Sequence, residues 1–151
     1  MISSFRTASE QFYIPSTNIA IDELMIKCFR RSHYTYKMPN KLISRGYKLF
    51  ALADYGYIWT FTPSSRLHGL VEIMQQHDLI NTGLMVLSLL QKLPKNRKFI
   101  CYLDNYFTSI SLFSILRDLG IGACGTTRLH VAGHDFPQIL RDLKDLKHYI
   151  P

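Results

Sequence analysis

Two aspartates lie in, or directly after, apolar stretches that have the composition of buried strands. Asp22 is inside IAIDELMI at 19–26, and Asp104 follows FICYL at 99–103 and opens the stretch DNYFTS. Carboxylate oxygens suit Mg²⁺ or Mn²⁺, and paired metal ions activate water and stabilise a leaving oxygen in phosphodiester cleavage. The two residues are therefore the first candidates for a metal site with hydrolytic chemistry.

Other acidic and histidine side chains have simpler explanations, and so does each aspartate taken alone. An aspartate at a strand end before a helix is usually a cap or turn residue. Glu23 follows the first aspartate in the strand and should point to the opposite face, while Asp54 in the sequence DYG is most simply a turn residue. His130 and His134 are four residues apart, but Gly133 between them argues against a helical metal pair. Spacing alone does not establish a metal site.

The positive charge of the chain is concentrated in one segment. The net charge is +7, and residues 27–48 contain seven of the 18 basic residues and no acidic one, so that elsewhere eleven basic residues balance eleven acidic ones. A basic stripe interleaved with Tyr34, Tyr36 and Tyr47 suits a phosphate backbone, although a solvated basic loop is the alternative interpretation. The seven residues are Lys27, Arg30, Arg31, Lys37, Lys41, Arg45 and Lys48.

Length and composition predict one globular domain. The 151 residues are 47% hydrophobic and 19% charged, which is ordinary for a folded protein and gives no support to disorder. The N-terminus lacks the pattern of a secretory signal, and the longest apolar run, 84–90, is too short to span a membrane. Cys28, Cys101 and Cys124 are widely spaced, which predicts reduced, buried thiols rather than disulfides or zinc ligands. We expect an intracellular protein without a membrane partner.

The hydrophobic pattern predicts a strand-rich first half and alternating helices and strands afterwards. Residues 1–18 form a polar lead-in, where Pro15 and the Ser-Thr-Asn cluster should break any regular element. Five strands are predicted at 19–26, 47–53, 57–62, 99–103 and 121–126, with a tight turn at 54–56.

Three helices are predicted between and after these strands. The first, 83–93, is apolar nearly all round and should be buried. The helices span 83–93 (capped by Asn81 or Thr82), 110–119 (capped by Thr108 or Ser109 and ended by Gly120) and 138–147.

A three-strand meander followed by βαβ units predicts an α/β fold with a mixed five-stranded sheet and flanking helices. The ribonuclease-H-like fold has this order. In that fold the first and fourth strands are parallel neighbours, so Asp22 and Asp104 would meet where open α/β sheets bind ligands. Two like charges on adjacent strands are costly unless a cation offsets them, which again favours a metal site.

Several sequence motifs resemble the catalytic core of piggyBac-type transposases, over residues from about 12 to 142. The most specific block is 102–128, which contains D-N-x-F-T-S, a leucine-rich helix and G-x-x-x-x-G-T-x-R. The matching segments are YIPSTNIAIDELM, MPNK, RGYKLFALAD, YLDNYFTSISLFSILRDLGIGACGTTR and FPQIL.

The resemblance implies a ribonuclease-H-like core whose acidic triad binds two Mg²⁺ (or Mn²⁺) ions for DNA cut-and-paste chemistry in the nucleus. Asp22 and Asp104 match the first two acids, with catalytic and metal-binding roles. Transposases of this kind act as dimers on paired DNA ends, so the resemblance also implies a homodimer. Basic residues at family-typical positions, together with the rest of the stripe, are expected to touch DNA: Arg31, Lys37, Lys41, Arg45, Lys48 and Arg128.

The sequence also departs from the family pattern. The third catalytic aspartate is expected beyond the segment that matches FPQIL; Asp142 and Asp145 precede that point, and no residue here matches it. We therefore expect residues 1–151 to be a single, incomplete catalytic domain that is inactive alone. The alternative is a domesticated, non-catalytic DNA-binding or interaction protein. An unrelated α/β enzyme with a small phosphorylated substrate lacks the glycine-rich phosphate loop it would need.

Overall fold

The computed structural model describes residues 2–30, 32–39, 41–65 and 79–126. Within these ranges the chain forms three α-helices and six strands. The helices are α1 (Ile2–Phe12), α2 (Asn81–Leu90) and α3 (Ile110–Asp118). The strands are β1 (Asn18–Lys27), β2 (Tyr36–Lys37), β3 (Arg45–Asp54), β4 (Tyr57–Pro63), β5 (Ile100–Leu103) and β6 (Gly122–Gly125).

All six strands belong to one mixed sheet. β3 pairs antiparallel with β1, with β4 and, at its start, with the two-residue strand β2, while β1, β5 and β6 run parallel to one another in that order. This order confirms the predicted meander followed by parallel βαβ connections. β2 is an additional strand that the sequence pattern did not predict, because two residues are too few to show periodicity.

The core lies between one face of the sheet and helices α2 and α3. Ile19 and Ile21 of β1 point into it and alternate with exposed neighbours, as a strand with one covered face requires. α2 is buried from Gly83 to Leu90, which confirms the prediction of a helix covered nearly all round. Its cap differs from the prediction: Ile80 is the N-cap and makes no side-chain hydrogen bond, since packing rather than capping stabilises this helix.

The first eighteen residues are not an irregular lead-in, and that prediction was wrong. α1 occupies Ile2–Phe12, and Pro15 lies after its end. The segment packs on β4: the Tyr13 and Tyr57 rings are 4.5 Å apart, and the indole nitrogen of Trp59 donates to the Tyr13 carbonyl at 3.2 Å. Tertiary contacts of this kind stabilise a helix that has weak sequence signals.

Asp54 ends β3 beside the turn, as predicted, but it is also a buried anchor for the N-terminal segment. Its side chain is 1% exposed and accepts hydrogen bonds from the Ser16 amide at 2.6 Å, the Ser16 hydroxyl at 2.8 Å and the Tyr13 hydroxyl at 2.9 Å. Burial favours the neutral acid, but these hydrogen bonds to the carboxylate outweigh it and lower the pKa of Asp54. The turn that follows has positive φ at Tyr55 (46°) and Gly56 (84°), as a two-residue type I′ hairpin requires.

The local structure requires glycine at two positions of the 102–128 motif block. Gly120 follows α3 with φ 73°, which confirms it as the helix end. A Cβ on Gly125, the last residue of β6, would overlap the Thr108 hydroxyl and lie 3.1 Å from the Leu103 carbonyl oxygen. Only glycine therefore lets β6 pack against the turn that follows β5.

We expect Asp54→Asn to lower the free energy of unfolding by about 1–3 kcal/mol at neutral pH, because it weakens a charge-assisted network. The folded-state pKa is below the unfolded value of about 3.9. The stabilisation should therefore be complete above that value and be lost as pH falls through the folded-state pKa.

Urea unfolding of both proteins from about pH 7 to about pH 2 checks this expectation. The stabilities should converge at the acidic end. Asp118→Asn, at an exposed helix position, is the matched control and should shift stability little. A constant gap between the native chain and Asp54→Asn across the whole pH range would contradict the assignment.

Gly125→Ala should destabilise the chain by about 1–3 kcal/mol, since backbone and side chain must shift to admit the methyl group. Gly83→Ala in α2 is the comparison, because its Cβ would meet the Leu79 side chain at an ordinary 3.4 Å. Higher helix propensity should make that variant neutral or more stable by up to about 1 kcal/mol. Thermal unfolding of both variants measures the two changes in stability. Equal changes would show that the close approach of β6 to the turn after β5 is unimportant.

Candidate functional site

The pairing of β1 with β5 brings the two predicted aspartates to neighbouring positions. The last pair in this parallel register is Ile21 with Leu103. Asp22 is the next residue on β1, and Asp104 is the first residue after β5; both are exposed, whereas the pair before them is buried. Asp22 and Asp104 thus occupy neighbouring positions where the parallel pairing of β1 with β5 ends, which is where sheets of this kind bind ligands.

Backbone amides hold one oxygen of each carboxylate. The Glu23 amide donates to Asp22 Oδ1 at 2.7 Å, and the Tyr106 amide donates to Asp104 Oδ1 at 2.9 Å. Among the described residues neither Oδ2 atom has a hydrogen-bond partner. The fixed oxygens orient the carboxylates, and the Oδ2 atoms are those available to a ligand.

The D-N-x-F-T-S motif forms the turn that carries Asp104. The Asp104 carbonyl accepts from the amide and the hydroxyl of Thr108, at 3.2 and 2.8 Å. Phe107 is 1% exposed and meets the Phe50 ring edge-on, at 5.7 Å between centroids. Ser109 is the N-cap of α3, with its hydroxyl accepting from the Leu112 amide at 3.2 Å. Of the two predicted caps, Ser109 is confirmed, while Thr108 closes the turn instead.

Glu23 lies on the opposite face of β1 from Asp22, as predicted, and pairs with two lysines. Lys41 Nζ is 3.0 Å from Oε1 and Lys48 Nζ is 2.7 Å from Oε2. Burial raises the pKa of Glu23, but hydrogen bonds and charge from Lys48 and Lys41 outweigh it, so that the net shift is downward. Lys48 Nζ also lies 4.7 Å from the ring centroid of Tyr106, the residue whose amide binds Asp104.

Lys41 is within electrostatic reach of the acidic pair. Its hydrogen bond to Glu23 is the main cause of a raised pKa, followed by the Glu23 charge, and the charges of Asp22 and Asp104 raise it further. The side chain of Lys41 is 45% exposed, whereas that of Lys48 is 12% exposed. Sequence reasoning missed this ion-pair cluster. The predicted three-strand meander was the signal that could have placed the strand of Glu23 beside the strand of Lys48.

Two further basic residues lie across from each other at the start of β3. Lys37 of β2 and Arg45 of β3 are paired positions, and both are exposed. They line a groove of about 440 Å³ together with Thr35, Tyr36 and Ser44. Like charges at paired positions repel unless an anion binds between them. Arg31 and Arg128, the remaining predicted DNA contacts, lie outside the described residues.

The donor set fits one hard cation better than two. Among residues 2–30, 32–39, 41–65 and 79–126, no three His, Cys, Asp or Glu side chains are grouped to hold a metal. Mg²⁺ is commonly held by one or two carboxylates, with water and substrate phosphates completing the shell, which the Oδ2 atoms of Asp22 and Asp104 satisfy. Asp142 and Asp145, like His130 and His134, lie outside the described residues, and so does the helix predicted at 138–147.

The cysteines are all free, as predicted, but only one is buried. Cys101 in β5 is fully covered, and burial raises the pKa of its thiol to about 12. Cys28 is half-buried and Cys124 is exposed, so the expectation of three buried thiols was wrong for both. Cys28 follows the last residue of β1, and Cys124 is at an exposed position of β6, where it alternates with the half-covered Ala123 and Gly125. No helix among the described residues is long and apolar enough to cross a membrane.

Comparisons with known proteins agree with this architecture. The sequence model of the family described as Transposase IS4 matches residues 1–148. A cryo-EM structure of a piggyBac transposase synaptic complex with hairpin DNA is similar with a TM-score of 0.73 and 23% identity, covering 99% of this chain and 30% of that one. No curated protein sequence matches. The chain thus spans less than a third of the solved transposase and shares its fold. It belongs to the Transposase IS4 family, and its piggyBac-type motifs lie on that fold.

Proposed function

We propose that residues 1–151 form part of a transposase catalytic domain that binds DNA, holds one divalent cation on Asp22 and Asp104, and does not cut DNA by itself. The observation that carries the proposal is the parallel register of β1 and β5, which sets the two family-matched carboxylates side by side. We infer the reaction class from the family, and the residues from the geometry of the candidate site.

The metal part of the proposal rests on how each carboxylate is held. The Glu23 and Tyr106 amides each take one oxygen, so that Asp22 and Asp104 present one oriented oxygen each to a cation. When bound, Mg²⁺ or Mn²⁺ would neutralise charge on a DNA phosphate. The carboxylates would fix the ion, and the phosphate would complete its shell.

The proposed inactivity in isolation is supported by the small number of acidic ligands among the described residues. Two-metal cleavage of a phosphodiester would need enough carboxylate ligands to hold both ions. The described residues offer two carboxylates at the edge and no grouped third ligand. We therefore propose that the chain binds without cutting, and that cutting needs a further acidic ligand.

The DNA part of the proposal rests on the Lys37–Arg45 groove. Two cations and the hydroxyl-bearing residues Thr35 and Ser44 line one concavity, which suits a phosphate group. The similar solved transposase is a complex with hairpin DNA, which supports DNA as the partner. The nuclear location that we propose follows from that partner alone. A homodimer on paired ends remains part of this proposal.

A domesticated, non-catalytic DNA-binding protein is the second candidate, and the same basic groove favours it. The two candidates differ in the role of the acidic edge, the sheet edge that carries Asp22 and Asp104. A pure binding protein would be indifferent to Asp104→Asn with or without Mn²⁺, whereas a metal-holding site would bind DNA more tightly with Mn²⁺ and lose that increase in the variant.

We expect Lys37→Gln with Arg45→Gln to weaken duplex DNA binding about tenfold or more at moderate salt. The plot of log K against log salt should become shallower by roughly 0.9 for each lost phosphate contact. The matched control is Lys95→Gln with Lys98→Gln, which removes two exposed charges from the turn before β5. Fluorescence anisotropy across a salt series measures both slopes. Equal losses of DNA affinity in the two double variants would show that the groove contributes no more than any other pair of surface charges.

We expect no nicking of supercoiled plasmid by the folded chain in Mn²⁺. In the same buffer, Mn²⁺ should tighten DNA binding in the native chain but not in Asp22→Ala or Asp104→Ala. Gel electrophoresis and anisotropy measure these two outcomes. Nicking that disappears in both aspartate variants would overturn the claim of inactivity, because it would show that two carboxylates suffice for cleavage.

A further inference from the structure

Glu23 is a carboxylate next to the acidic pair in sequence that turns away from it in space. Both of its oxygens are occupied, by Lys41 at 3.0 Å and by Lys48 at 2.7 Å, and its side chain is only 13% exposed. Its cross-strand partner is the buried Phe50. A charged group in this environment is costly unless it is paired, so the two lysines are essential to its placement.

The two lysines differ in what they could do without Glu23. Lys48 is 12% exposed and lies over the rings of Phe50 and Tyr106, at 5.2 and 4.7 Å. Those contacts would keep it in place. Lys41 is 45% exposed and belongs to the loop between β2 and β3.

The loop places the Lys41 backbone, but the ammonium group is placed by Glu23. The Lys41 amide donates to the Met38 carbonyl at 3.1 Å, and the Met38 amide donates to the Ser44 carbonyl at 2.8 Å. A lysine carries its charge on a flexible four-carbon stem. Without Glu23, the Lys41 ammonium group would be attracted to the carboxylates of Asp22 and Asp104, whose charges already raise the pKa of Lys41.

We propose that Glu23 is a positioning residue that binds Lys41 and thereby keeps that ammonium from pairing with Asp22 and Asp104. The two carboxylates are then left free for a divalent cation. The proposal rests on the metal-holding role proposed above and adds a residue that the motif match assigns no role. Glu23 touches neither cation nor DNA, and it acts through Lys41 alone.

Glu23→Gln keeps the shape of the side chain but removes the charge that holds Lys41. We expect its Mn²⁺ affinity to fall about tenfold, because Lys41 then becomes a competing counter-ion for Asp22 and Asp104. Lys41→Gln alone should bind Mn²⁺ as well as the native chain or better. The double variant Glu23→Gln/Lys41→Gln should recover most of the lost affinity, which a merely structural role of Glu23 would not produce.

Mn²⁺ binding to the full chain is measured by the loss of the free-ion signal in electron paramagnetic resonance. Asp22→Asn and Asp104→Asn define the background. Equal affinity in the native chain and Glu23→Gln would overturn the proposal. So would a double variant that stays as weak as Glu23→Gln, because Glu23 would then act through Lys48 or through the fold. If Glu23→Gln does not fold, Glu23→Asp, which keeps the charge at a shorter reach, replaces it and should give a smaller loss in the same direction.

A metal-free measurement separates this inference from the metal site itself. In EDTA, a double-mutant cycle of Lys41→Gln and Asp104→Asn is read as shifts in the urea midpoint. The shifts should add in the native background and become strongly coupled in the Glu23→Gln background, where Lys41 is free to pair with Asp104. Absence of Mn²⁺ binding by the native chain would sink the proposed function, while additive shifts in both backgrounds would sink the role of Glu23.

Discussion

The parallel pairing of β1 with β5 is the constraint on which the rest of this structure depends. It puts two carboxylates on adjacent strands, one residue past the last buried pair, Ile21 and Leu103. Such neighbours repel, so the surroundings must fix them against separation. Phe107 fills the core below the turn, Thr108 closes the turn on the Asp104 carbonyl, and Gly125 allows β6 to pack closely against it. Phe107, Thr108 and Gly125 all lie within the 102–128 motif block, and each packs at or beside the turn that carries Asp104.

The fold was predictable where one short segment carries its own signal. The hairpin after β3 needs positive φ, which Gly56 adopts readily. The helix from Gly83 onward is apolar nearly all round, so its sequence alone predicts that it is buried. Asp22 and Asp104 were predicted as a pair because the motifs and the strand order point to the same two residues, and the register puts them at neighbouring positions. Agreement between these independent levels is what made the prediction specific.

Three of the features that were missed depend on contacts between distant segments. α1 is stabilised by packing on β4, and Asp54 is held charged by groups about forty positions away, so neither is visible in a local window. The ion pairs of Glu23 could be predicted only with the register of β1 against β3, which sets Glu23 opposite Phe50 and near Lys48. A shift of one residue in that register would have turned Glu23 towards the other face. Periodicity finds strands, but it does not determine how they are aligned.

The same antiparallel register relates the acidic edge to the basic groove. β5 ends beside Ile21, whereas β1 and β3 continue together to the pair Lys27 and Gly46. The ribbon therefore extends five residues beyond Asp22, about 16 Å at the usual rise per residue. Arg45 adjoins the far end of this ribbon. At roughly 3.4 Å per base step, DNA lying along the ribbon would place phosphates about five steps apart at the carboxylates and in the groove. The proposed DNA contact and the proposed cation site can thus be separate, because the groove lies several residues along the ribbon from Asp22 and Asp104.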